Sequence, residues 1–243
     1  MGLRQAIRKM IRPDVMPRER IAEISDHDLA ILERAKPFTM TTLERQWALL
    51  NAVRHVVARE IPGDFVELGV WRGGSTMIAA MEMMRLEDTR TLWLYDTYEG
   101  MPEPDDIDHR SNGDRPAAIH KWNATRMGDG SDWCRASLED VQRNIASLNY
   151  PGQTRFVVGK SEQTLIGEKP EQVSILRIDT DWYASTKASL EHLWDRLSPG
   201  GVLIMDDYGA WNGARVAADE FFSTLPPVFV HYLDGAGRLI VKD

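Results

Sequence analysis

The sequence predicts a doubly wound, Rossmann-like α/β fold, and three observations carry that expectation. Short apolar runs (DFVELG, TLWLYD, TRFVVG, VSILRID and VLIMDD) alternate along the chain with segments of helical period. Strands joined through single helices pair in parallel by right-handed crossovers, so these runs belong in one sheet covered on both faces. The last two runs, VFVHYL and RLIVK, are separated only by Asp234-Gly235-Ala236-Gly237, which favours an antiparallel hairpin and completes a seven-stranded, mostly parallel sheet.

Each element has its own signal. Leu3, Ile7, Met10 and Ile11 recur at helical spacing with Arg4, Arg8, Lys9 and Arg12 mostly opposite, which reads as a short basic amphipathic helix. It lacks the apolar centre of a signal peptide and suits docking on its own domain or a neighbouring subunit, with membrane-surface contact the alternative. Ser25 and Asp28 are placed to cap a helix running through Leu32 and Arg34. Residues 1–40 thus read as an N-terminal helical arm and residues 41–243 as the Rossmann-like domain. Thr41 and Glu44 form a candidate capping box for a helix carrying Leu43, Trp47, Leu50, Val53 and Val57, which stops at Pro62-Gly63. Further helices are expected over about 74–85, 137–148, 184–197 and 213–222, and Ser198-Pro199-Gly200-Gly201 turns the chain into the fifth strand. The polar segment 97–135, interleaved with His109, His120, Trp122 and Trp133, is too long for a passive connection. It reads as a lid or substrate loop at the C-terminal edge of the sheet.

Composition narrows the function. At 243 residues and 43% hydrophobic content the chain can build one large core. A net charge of −8 disfavours nucleic acid as a partner, because phosphate binding needs a basic footprint. A single cysteine, Cys134, rules out an intrachain disulfide and suits a reducing cytoplasm, and no apolar run approaches the roughly 20 residues of a membrane span. The amphipathic arm and the aromatic loop offer more apolar surface than a monomer leaves exposed, so a homo-oligomer, dimer or tetramer, is expected.

In an open parallel sheet ligands bind beyond the carboxyl ends of the strands, and here those ends are acidic or glycine. The first strand runs into ELGVWRGGS, where Gly69, Gly73 and Gly74 allow close backbone approach and a helix opening near Gly74 or Ser75 offers its amides. Such a turn serves NAD, S-adenosylmethionine (SAM) or a plain tight turn. Asp96, ending the second strand beside Thr97, stands where a carboxylate accepts hydrogen bonds from both hydroxyls of a ribose. Glu67 lies inside the first strand, where a carboxylate is costly unless a cation is close. SAM carries an ammonium group that can serve, and NAD does not. The fourth and fifth strands end IDTDWY and MDDYG, so as neighbours they bring Asp179, Asp206 and Asp207 together. An all-oxygen cluster of this kind suits Mg²⁺ or a similar hard cation, and with no cysteine or paired histidine nearby zinc is a poor alternative. An antiparallel end to a parallel sheet also fits the methyltransferase version of the fold better than the dehydrogenase version.

The runs FTMTTLERQWAL, IPGDFVELGVWRGGS, YDTYEGMPEP, IDTDWYAST and LSPGGVLIMDDYGAWNGAR resemble the macrocin O-methyltransferase family, Mg²⁺-dependent and SAM-using enzymes that methylate sugar hydroxyls, notably on glycosylated natural products. The resemblance spans roughly Pro37 to Phe222. It implies a class I SAM-dependent methyltransferase with Asp179, Asp206 and Asp207 as metal ligands and Asp181 as general base. It also implies a cofactor site made of Glu67 to Ser75 with Asp96, while Met40 and Thr41 touch the methionine end of SAM. Phe38, Thr180 and the tail LDGAGRLIVKD depart from the family pattern. His192 and His231 are rival bases, but they lie in a helical and a strand pattern, where structural histidines are commoner. A catechol or other vicinal diol satisfies the same metal chemistry. A metal-dependent hydrolase would leave Glu67, Asp96 and the glycine turn without a role.

Overall fold

A computed structural model describes residues 21–111, 117–128 and 130–243. The basic amphipathic helix expected over the first residues lies outside them. Strands β1 (Asp64–Leu68), β2 (Leu92–Asp96), β5 (Thr154–Val158), β6 (Val173–Ile178), β7 (Leu197–Met205), β8 (His231–Tyr232) and β9 (Arg238–Val241) form one sheet in the order β5-β2-β1-β6-β7-β9-β8. The first five are mutually parallel, and β9 runs antiparallel to both β7 and β8. This is the expected architecture.

Helices α1 (Asp26–Ala35), α2 (Leu43–Ala58), α3 (Gly74–Arg85) and α5 (Leu138–Ala146) lie over one face of the sheet, and α7 (Tyr183–Leu193) and α8 (Asn212–Ser223) over the other. Strand alternation assigns the side chains. Phe65, Leu92, Leu94, Ile175, Val202 and Ile204 face the first layer; Val66, Leu68, Trp93, Tyr95, Leu176, Ile178, Leu203 and Met205 face the second. Both sets are buried, which is why these strands read as continuous apolar runs.

Local signals succeed where the chain answers only to itself. Ser25 caps α1 and closes a full capping box with Asp28. Ser137 caps α5 by accepting from the Asp140 amide. Two expectations are corrected. The cap of α2 is Thr42, whose hydroxyl accepts from the Arg45 amide, because the Thr41 hydroxyl is drawn away to Asp206. The Ser198–Gly201 segment is not a turn before β7 but a bulge within it: Val173 pairs Leu197 and Ile175 pairs Val202, so the extra residues loop out of register.

The segment 97–135 holds α4 (Ala117–Thr125) and a two-residue hairpin, β3 (Arg126–Met127) with β4 (Gly130–Ser131). It packs around a small core of Met101, Trp122 and Trp133 against Trp182 and Trp211. The indole N–H of Trp122 donates to the Met101 carbonyl at 3.1 Å, and Ser131 Oγ donates to the same oxygen at 3.0 Å. A short helix α6 (Ser161–Thr164), not anticipated, follows β5.

Candidate active site

The carboxyl ends of β1, β2, β5, β6 and β7 open onto two adjoining cavities. The first is lined by Gly69, Asp96, Thr97, Gly159, Lys160, Ser161, Glu162 and Thr180. The second is lined by Thr41, Arg45, Glu67, Gly74, Ser75, Asp206, Asp207, Trp133 and Trp211. Met40, Trp71, Cys134, Asp179 and Asp181 line both, so these side chains stand at the junction.

Beneath the junction the apolar column on the α2/α3 face of the sheet gives way to a polar row. Glu67 on β1 and Arg177 on β6 are cross-strand partners, and Asp206 continues the same face beyond β7. Arg177 Nη1 lies 2.8 Å from Glu67 Oε1 and 2.8 Å from Asp179 Oδ2, while its Nη2 donates to Asp206 Oδ1 at 2.5 Å. Thr76 donates its hydroxyl to the other Glu67 oxygen. The cation expected beside Glu67 is therefore supplied by the protein, which corrects the argument that drew it from a cofactor ammonium. Burial nevertheless pushes the Glu67 carboxyl up to about 7, although Arg177 and Thr76 favour its charged form. Arg177 was missed, yet the signal was present: an arginine inside the buried run VSILRID is as costly as Glu67 in DFVELG.

Asp96 is committed to the backbone. Its Oδ2 accepts from the amides of Val70 (2.6 Å) and Trp71 (3.1 Å) and its Oδ1 from that of Tyr98 (2.7 Å). It thus ties the glycine turn to the end of β2, in addition to lining the first cavity. Gly69, at φ +82°, has no room for a Cβ because the Asp179 backbone carbonyl crosses there. The turn therefore lets β1 and the IDTD segment touch. Gly73 packs against Ile145 of α5 instead of lining either cavity, and Gly74 allows the Phe38 carbonyl to approach α3. Lys160, Ser161 and Glu162 were also missed, although applying the strand-end rule to TRFVVG leads to them.

Asp179, Asp206 and Asp207 converge as expected: one carboxylate oxygen from each lies within 4.8 Å of the others. The Asp181 amide donates to Asp207 Oδ2 at 3.1 Å. Asp181 is pushed up to about 7 by burial and then by the negative charge of Asp179. Burial, with Asp181 and Asp179 as neighbours, holds Asp207 well above the usual carboxylate range. Arg45 and Arg177 provide counter-charge for Asp206, and Arg177 for Asp179, while no arginine or lysine side chain pairs with Asp207 or Asp181 among the described residues. All-oxygen, without histidine and with Asp207 lacking an arginine or lysine partner among the described residues, this donor set fits a hard divalent cation. Cys134 does line both cavities, contrary to expectation, and burial pushes its thiol up to about 11, but it is not one of the side chains that converge on the aspartate cluster. The Thr180 hydroxyl is buried without a hydrogen-bond partner beside the first cavity, which fits a polar ligand there. His109, His120, His192 and His231 line neither cavity.

The strand order, the antiparallel β9–β8 end and a glycine turn facing an aspartate cluster define the class I methyltransferase fold. The profile described as "Macrocin-O-methyltransferase (TylF)" matches residues 19–225. A tetracenomycin-C rhamnosyl 4'-O-methyltransferase from Streptomyces olivaceus is 37% identical over 201 residues, 81% of this chain and 73% of the relative. Demethyldecarbamoylnovobiocin O-methyltransferase from Streptomyces niveus is 32% identical over 190 residues, 77% of this chain and 68% of the relative. The structure of the O-methyltransferase NovP superposes with a TM-score of 0.72 at 30% identity, covering 84% of this chain and 82% of that one. The chain belongs to the macrocin O-methyltransferase family and is an O-methyltransferase.

Proposed function

We propose that the protein transfers the methyl group of SAM to a sugar hydroxyl of a glycosylated natural product, with a divalent cation held by Asp179, Asp206 and Asp207. The observation that carries this reading is the shared wall of the two cavities: Asp179 and Asp181 line both, where a methyl donor and an acceptor would meet. SAM supplies an activated methyl group on a sulfonium. A divalent cation held by Asp179, Asp206 and Asp207 would supply positive charge that lowers the pKa of an acceptor hydroxyl beside it. Asp181 accepts the proton at its carboxylate as the methyl group moves to oxygen. Asp96 holds the glycine turn closed, Thr97, Ser161 and Glu162 offer polar contacts to the nucleoside, and Met40, Thr41, Gly74 and Ser75 surround its methionine end. Glu67, already paired with Arg177, lines the cavity beside that end.

The tryptophan cluster supports a sugar acceptor. Trp133 and Trp211 wall the second cavity, stiffened by edge contact of Trp182 with Trp211 at 4.9 Å between ring centroids. Apolar sugar faces pack on such indoles while the hydroxyls turn to the acid cluster. Segment 97–135, which supplies Trp133, is the substrate loop in this reading, and the cell compartment is the cytoplasm. The protein is further proposed to assemble as a homo-oligomer, with exposed Phe229 and Tyr232 beside the β8 edge as contacts, which sedimentation tests. The deciding experiment measures methyl transfer from labelled SAM to rhamnosides and catechols across a Mg²⁺ series. Turnover that vanishes in EDTA while SAM still binds is expected; full turnover under rigorous chelation rejects the metal.

A further inference from the structure

The metal-ligand candidate Asp206 has an uneven set of partners. Its Oδ1 accepts from Arg177 Nη2 (2.5 Å) and from the Thr41 hydroxyl (3.1 Å), which fills that oxygen's two lone-pair directions. Its Oδ2 accepts from Arg45 Nη1 and, among the described residues, from no second donor, so this oxygen keeps a free lone pair within a carboxylate that converges with Asp179 and Asp207. Arg45 thus fixes the oxygen available to a cation.

Arg45 is itself held by the turn between β8 and β9. Its Nε donates to Asp234 Oδ2 at 2.9 Å, and the Thr42 hydroxyl donates to the same oxygen. Asp234 Oδ1 accepts from the amides of Ala236 (2.9 Å) and Gly237 (2.6 Å), so the turn locks the carboxylate that locks the guanidinium. Two glycines make the docking possible. A Cβ on Gly237 would stand 2.8 Å from Arg45 Cγ and Cδ, and Gly209, two residues after Asp207, donates its amide to the Ala236 carbonyl at 2.8 Å. Ala236 also lines the second cavity.

We infer that the β8–β9 turn is a positioning element of the metal centre, in which Asp234, acting through Arg45, aims the Asp206 carboxylate at the cation. The inference rests on the metal-dependent reading proposed above.

Mn²⁺ binding by the full chain, followed by the paramagnetic signal of the free ion, tests it without recourse to turnover. Asp234→Asn keeps an oxygen for the turn amides but sets an amide against Arg45; Gly237→Ala keeps Asp234 and displaces the Arg45 stem. Groups that orient metal ligands are commonly worth ~10–100-fold in affinity, and each variant should lose that much Mn²⁺ affinity while SAM affinity stays near wild type and the folded circular-dichroism spectrum is retained, even where melting falls with the lost ion pair. Arg45→Lys, which removes the fork but keeps the charge, should behave alike. Unchanged Mn²⁺ affinity in Asp234→Asn and Gly237→Ala overturns the inference, as does an equal loss of SAM and Mn²⁺ binding, which marks the turn as general scaffolding. Gly237→Ala and Arg45→Lys decide the matter if Asp234→Asn does not fold. Failure of the metal-dependent reading looks different: wild type binds no Mn²⁺, or Asp207→Asn binds it as well as wild type.

Discussion

Arg177 is the residue on which the site's electrostatics turn. Its guanidinium, 3% exposed, touches Glu67, Asp179 and Asp206, so Arg177→Met leaves three carboxylates without their shared cation. Breaking a buried pair from one side costs about 3–5 kcal/mol, and urea unfolding should show a loss of that size. Adding Glu67→Gln to Arg177→Met should recover part of it; a strictly additive double variant would deny the coupling. Asp181 makes a different prediction. It lies at the junction of the cavities, and Asp181→Asn preserves size but cannot take a proton, so turnover should fall by roughly 10²–10⁴ with no rescue by Mg²⁺. Asp207→Asn should be partly rescued instead, and an Asp181→Asn enzyme with near-normal turnover would move the base elsewhere. What was legible here follows the chemistry. Asp179, Asp206 and Asp207 announce themselves because acids ending neighbouring strands must converge. Arg45 and Asp234 do not, because only tertiary packing brings residues so distant in sequence onto one carboxylate.

At the scale of elements, legibility tracks how local the determinant is. The caps at Ser25 and Ser137 need only residues three positions away, and the Ser25 cap and the helix beginning at residue 137 are both legible in the sequence. Thr41 carries the same local signal and fails, because Asp206, far off in sequence, competes for its hydroxyl. The segment 97–135 shows no strong period because its order comes from four tryptophans, two of them, Trp182 and Trp211, borrowed from other parts of the chain. Trp122, 1% exposed and hydrogen-bonded to Met101, is the keystone of that unit. Trp122→Ala should cost about 3–5 kcal/mol by the usual penalty for deleting a large buried aromatic. Since Trp133 and Lys121 of the same unit wall the second cavity, acceptor KM should rise while SAM affinity holds, and steady-state kinetics with calorimetry will separate the two. Equal weakening of both ligands would place the segment's influence on the whole site.

Across the molecule, the βαβ alternation and the closing hairpin were enough to anticipate the sheet, since crossover handedness leaves few arrangements. They did not reveal how firmly α1 joins the core, which depends on an ionic network linking three helices. Arg54 of α2 reaches both Asp28 of α1 and Glu82 of α3, and Arg85 also holds Glu82. Burial alone would raise both acids. For Asp28 the hydrogen bonds from Ser25 and Arg54 outweigh it, and for Glu82 those from Arg85 and Arg54, so both lie below their ordinary values of 3.8 and 4.5. A carboxylate whose folded pKa is depressed binds fewer protons folded than unfolded, so its stabilisation is present above the unfolded value and disappears as pH falls through the folded one. Wild type should therefore lose stability steeply below its ordinary carboxylate range, and Arg54→Met, which removes the shared cation, should not share that slope in full. The gap in melting temperature between wild type and Arg54→Met should be widest near neutral pH and close as the medium is acidified below that range. A gap that stays constant with pH would mean that Arg54 acts by packing over the Trp47 ring, 5.3 Å from its centroid, and that α1 is held by apolar contact with Ile31 and Leu32 instead of by charge.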